Sequence, residues 1–127
     1  MSEVEQELGS EAQLRESLIS IAVEAWRFSR LFERILQNLD AGQQNRYRSQ
    51  YNWFLKRLEE ALQTADLRLV NVEGLEFDPG MAVTPLGGED EEGEGVLIIE
   101  RMLEPIIMGK EGLVRMGTVT LKRVGPE

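Results

Sequence analysis

The sequence predicts an α+β protein: an N-terminal antiparallel helical hairpin that forms a dimeric four-helix bundle, followed by a small antiparallel β-domain. Three observations predict it. Leu14, Leu18, Ile21, Ala25, Phe28, Phe32, Ile35 and Leu39 advance in a 4-3-4-3 step, and Tyr47, Tyr51, Phe54, Leu58, Ala61 and Ala65 repeat that step. Only Asp40, Ala41, Gly42 and a few polar residues separate the two ladders. After Ala65 the helical period disappears and short alternating runs punctuated by glycine take over.

The first helix is expected from Glu11 to Leu39. Ser10 serves as its N-cap and Gln13 completes a weak capping box. A repeat of about 3.5 residues keeps its ladder on one stripe, the geometry of helices that pair side by side. Ile19, Ala22, Trp26 and Leu36 add a second apolar edge. The second helix is expected from Gln43 to Ala65, with Trp53 off its stripe. So short a connection folds the helices back on one another, as in an αα-hairpin. Two helices alone leave half of this apolar surface unmatched, so a second copy is expected to cover it. The dimerisation residues on this reading are Leu18, Ile21, Ala25, Phe28, Phe32, Ile35, Tyr51, Phe54 and Leu58. Residues 1–10, polar and acidic, are expected to be a disordered tail, 11–66 the hairpin and 67–127 the β-domain.

Within the β-domain, strands are expected at Met81–Leu86, Val96–Leu103, Pro105–Met108 and Leu113–Val124. Gly109-Lys110-Glu111-Gly112 reads as a hairpin turn, and Pro105, without an N–H, as an edge or bend. The acidic stretch from Gly87 to Gly95 reads as a solvated loop, because its carboxylates are contiguous rather than spaced like calcium ligands.

Composition bounds the chemistry. The chain has 127 residues, a net charge of -9, and neither cysteine nor histidine. Disulfides, thiolate metal sites and the usual neutral-pH base are therefore excluded. The serines lie at or within helices with no histidine to activate them, and the glycine-rich patch is too acidic to cradle phosphate. Glu100 and Glu104 do not form an acid–base pair by their spacing. The expectation is a protein that is not an enzyme and takes no cofactor or metal. The acidic balance argues against a nucleic-acid partner, even with Arg27, Arg30 and Arg34 close together on the first helix. No apolar run approaches the ~20 residues of a membrane span, and no signal-peptide core opens the chain. A cytoplasmic location is expected.

The junction of the second helix and the β-domain carries a resemblance. Ala61-Leu62-Gln63-Thr64-Ala65-Asp66-Leu67-Arg68-Leu69-Val70, followed by Gly74-Leu75-Glu76-Phe77-Asp78-Pro79, resembles the GrpE family of nucleotide exchange factors. There a helix ends, an extended segment follows, and a Gly-x-x-Phe-Asp-Pro turn opens the β-domain. Val114-Arg115-Met116-Gly117-Thr118-Val119-Thr120-Leu121 is similar to the family's closing strand. The likeness runs from about residue 20 to residue 124. The family's long stalk is missing or reduced, Gly80-Met81-Ala82-Val83 replaces a histidine- and glutamate-containing stretch, and Leu103 to Met108 replaces a lysine-glycine-tyrosine hairpin entrance.

The resemblance implies a homodimer that presses a β-domain against the nucleotide-binding domain of a DnaK-type chaperone and promotes ADP release. The partner-binding residues it points to are Arg115 first, then Met108, Met116 and Thr118. The alternative is a dimeric interaction scaffold with the same fold and no exchange activity.

Overall fold

The computed structural model describes residues 2–87 and 93–125. The acidic stretch between residues 88 and 92 therefore lies outside the described residues. Contacts divide the chain into two compact units, residues 1–55 and 56–127. The boundary falls within the second helix rather than after it.

Helix α1 spans Glu3–Gln37 and α2 spans Ala41–Thr64. The first helix begins ahead of the expected Glu11, because Ser2 caps it: its hydroxyl accepts the Glu5 N–H at 3.3 Å. The Asp40 carboxylate caps α2 in the same way, accepting the Gln43 N–H at 2.9 Å. Between the helices Gln44 Nε2 donates to the Leu39 carbonyl at 2.8 Å, tying the connection to the first turn of α2. The antiparallel hairpin is fixed by two further contacts. The rings of Phe32 and Tyr51 stack with centroids 5.9 Å apart, and the Tyr51 hydroxyl donates to Glu33 Oε2 at 3.2 Å.

The buried face of α1 consists of Ala22, Val23, Trp26, Ser29 and Leu36. That is the second apolar edge, not the stripe that the sequence makes most prominent. Ser29 is admitted because its hydroxyl donates to the Trp26 carbonyl at 2.7 Å. Arg30 bonds Glu33 Oε2 at 2.6 Å and lies over the Trp26 ring, 5.7 Å from its centroid. The prominent stripe stands outward: Leu14, Ile21, Phe28 and Ile35, seven residues apart, are each at least half exposed.

The end of α2 is a Schellman cap. The Leu67 N–H reaches the Leu62 carbonyl and the Asp66 N–H the Gln63 carbonyl, both at 3.0 Å. Asp66 takes the left-handed conformation this requires, with φ 56°. Leu62 and Leu67 are both buried, which supplies the hydrophobic contact of the motif.

Among the described residues six strands follow: β1 (Arg68–Val70), β2 (Val83–Leu86), β3 (Val96–Glu104), β4 (Ile106–Gly109), β5 (Gly112–Arg115) and β6 (Gly117–Val124). They form two three-stranded sheets, β1-β4-β5 and β2-β6-β3. The expectation of an all-antiparallel domain is corrected here. β6 inserts between β2 and β3; it is antiparallel to β3 and parallel to β2. The expected strand Leu113–Val124 is likewise two strands, broken at Met116. Opposite that break, Pro105 separates β3 from β4. At these two residues a long hairpin turns from one sheet into the other. Pro105 suits the bend because it has no N–H to leave unpaired. Val83, Ile99, Met102, Ile106, Ile107 and Val119 form the core.

Candidate functional site

The chemistry-bearing surface of the second unit lies at this corner. β3 carries two register shifts against β6, between Ile99 and Arg101 and between Met102 and Glu104. Strict alternation would place Glu104 on the same side as Met102, inside the core. The extra residue Leu103 reverses the side, so Met102 is buried while Glu104 turns outward opposite Thr118. Glu104 Oε1 accepts the Thr118 hydroxyl at 2.8 Å, and Oε2 accepts Arg115 Nη2 at 3.1 Å.

The structure thus gathers Arg115 and Thr118 around one carboxylate. The Arg115 side chain keeps 38% of its surface exposed and that of Glu104 keeps 26%. Leu113 and Met116, on either side of Arg115 in sequence, are exposed apolar side chains. The register shift of β4 against β5 sets Leu113 opposite Met108 and Arg115 opposite Ile107, so Leu113 and Arg115 lie on different faces. Met116 adjoins the arginine, and arginine and methionine are both enriched at protein interfaces. Met108 belongs elsewhere. It lines an open groove of about 520 Å³ with Glu59, Gln63, Asp66, Arg68 and Lys110. Glu104 was missed by sequence reading as a partner of Arg115, because a bulge leaves no mark in the alternation of residue types.

The first unit offers a second surface. Phe28, Phe32, Tyr51 and Phe54, with Ser29 and Gln50, line an apolar groove of about 160 Å³ between the helices. Of the residues expected to dimerise, Ile21, Phe28, Ile35 and Phe54 are exposed; Leu18, Ala25, Phe32 and Leu58 are half-buried. Tyr51 is buried against Phe32 and Glu33 of its own chain, so in this hairpin it acts first as an internal contact.

Comparison with protein-family models, curated proteins and solved structures returns no match. The residues themselves carry the functional argument. Among the described residues no three or more acidic side chains gather as a metal site, and no helix is long and apolar enough to cross a membrane.

Proposed function

We propose that this chain is a GrpE-like co-chaperone: a homodimer that binds the nucleotide-binding domain of a DnaK-type chaperone and promotes ADP release. The observation that carries the reading is the setting of Arg115. It ends β5, partly exposed and next to the exposed Met116, at the position the resemblance gives to a partner-contacting arginine. In chain order the Gly74 to Pro79 segment follows α2 and β1 and precedes β2, where the resemblance has a GrpE-like β-domain open.

Dimerisation through a four-helix bundle is supported by the outward heptad Leu14, Ile21, Phe28 and Ile35 and by the aromatic groove beside it. Side chains this large and this regularly spaced are the seam residues of paired helices. The mechanism is a population shift. The dimer binds the open nucleotide cleft better than the closed one, and only that difference in affinity releases ADP.

Release of a fluorescent ADP analogue from DnaK-type chaperones tests the reading. Addition of the folded dimer is expected to accelerate release; no acceleration across several such chaperones overturns it. A second reading is a dimeric scaffold without exchange activity. The apolar heptad favours it as well, since that stripe calls for a partner helix whatever the β unit does. Dimerisation with no effect on ADP release would select this second reading.

A further inference from the structure

We infer that Glu104 is a positioning residue that holds Arg115 ready for the partner, an inference that rests on the proposed role of Arg115. Both oxygens of the Glu104 carboxylate are engaged, one by Thr118 and the other by Arg115. Thr118 sits directly opposite Glu104 in the β3–β6 register, so the carboxylate is oriented from the strand ladder itself. Arg115 lies on β5, on the far side of the Met116 break. The carboxylate therefore links the last residue of β3 to the last residue of β5 across the corner of the two sheets.

Stability gives little reason for this arrangement. A salt bridge whose members are 38% and 26% exposed contributes weakly to folding, because water screens it. The bulge at Leu103 is a local departure from regular pairing, and its consequence is to bring Glu104 out of the core and against Thr118. Its effect falls on the arginine. A free arginine samples many rotamers, and freezing them on binding lowers affinity; an arginine already bonded at Nη2 has lost that freedom beforehand. Its other guanidinium donors remain to meet an acceptor on the partner. Glu104 thus acts through Arg115 and does not itself need to touch the partner.

A double-mutant cycle in the full chain tests this, read as affinity for a DnaK-type nucleotide-binding domain and as stimulated release of a fluorescent ADP analogue. Glu104→Gln keeps the shape of the side chain and removes its charge. It is expected to weaken binding roughly three- to tenfold, with a melting temperature close to wild type. Thr118→Val, which removes the hydroxyl that anchors the carboxylate, is expected to give a smaller loss in the same direction, and none in an Arg115→Ala background. In an Arg115→Ala background, Glu104→Gln is expected to add nothing, because the group it positions is gone. Glu104→Gln binding as tightly as wild type overturns the inference, as does an equal loss in both backgrounds. If the wild-type chain binds no DnaK-type domain, the proposed function falls and this inference with it. Tight wild-type binding with additive losses overturns the positioning role alone.

Discussion

Tyr51 on α2 donates its hydroxyl to Glu33 on α1, 18 positions earlier in the chain, across 3.2 Å. The same carboxylate oxygen takes Arg30 at 2.6 Å, so one acceptor unites both helices of the hairpin. Burial, and after it the negative charge of Glu33, raises the Tyr51 phenol above its ordinary value, while Arg30 acts in the other direction. A phenol with a raised folded-state pKa favours the folded protein fully below about pH 10. That contribution is lost as pH rises through the folded value, because the unfolded chain gives up its proton first. Tyr51→Phe is expected to cost about 1 kcal/mol at neutral pH and to remove this alkaline loss. Melting temperatures from pH 8 to pH 11, at one protein concentration, check it. The gap between wild type and variant should narrow above pH 10; a constant gap assigns the alkaline loss to another group.

Asp66 occupies a backbone conformation that favours glycine, and it places a negative charge at the end of a helix whose dipole is negative there. Both features cost stability, so the cap should respond in a fixed order. Asp66→Gly is expected to stabilise by about 1 kcal/mol through relief of the left-handed conformation. Asp66→Asn should gain about 0.3 kcal/mol from removal of the charge, and this gain should shrink in high salt. Asp66→Ala should destabilise, since alanine gains no local hydrogen bond in that region. Urea midpoints give the ranking. An alanine variant as stable as the glycine variant would show that the left-handed backbone costs nothing here.

Which parts of this structure were readable beforehand follows from the residues. The two helices and their short connection were legible because apolar spacing reports helical period directly. The inward face was not. α1 carries two parallel ladders one residue apart: Ile21, Ala25, Phe28, Phe32 and Ile35 on one, and Ala22, Trp26, Ser29, Glu33 and Leu36 on the other. The second is the inner one, yet it holds a serine and a glutamate, so composition favours the wrong choice. The serine is satisfied by the Trp26 carbonyl and the glutamate by Arg30 and Tyr51, while the buried Trp26 Nε1 has no hydrogen-bond partner among the described residues. Strands β2, β3 and β4 were legible from alternation and glycine, and Pro105 from its missing N–H; β1 was not expected, and β5 and β6 read as one strand. The insertion of β6 between β2 and β3 was not, because strand order leaves no local trace. The Glu104–Arg115 contact depends on a bulge, and period-two reasoning assigns Glu104 to the opposite side.

The corner between the sheets leaves no room at Gly117. A Cβ there would stand 2.8 Å from Met102 Cε, 2.9 Å from the Glu104 carbonyl oxygen and 3.1 Å from Ile106 Cγ1. The methionine methyl can move, but the carbonyl belongs to the backbone of β3. Gly117 also donates its N–H to the Ala82 carbonyl at 2.9 Å, just ahead of β2. Gly117→Ala is therefore expected to cost about 2 kcal/mol, measured by chemical denaturation. Shortening Met102 in the same protein should not restore stability, because the contact with the carbonyl persists and a cavity is added. Recovery in that double variant would place the conflict on the methionine alone.

The outward position of Phe28 separates assembly from folding. Its side chain is 65% exposed in the single chain, whereas Trp26, two residues earlier, is 7% exposed. A carboxylate at position 28 faces water in a monomer but is desolvated in a bundle seam, where an unpaired charge costs several kcal/mol, roughly. Phe28→Asp should therefore keep its helical circular dichroism and sediment as a monomer at low micromolar concentration, under conditions where the wild-type chain is a dimer. Phe54→Asp, on the other wall of the aromatic groove, should behave alike. Trp26→Asp should instead lose helicity, because its face is buried before any partner arrives. A Phe28→Asp variant that stays dimeric would remove the Leu14, Ile21, Phe28 and Ile35 stripe from the interface, and with it the bundle on which the proposed co-chaperone is built.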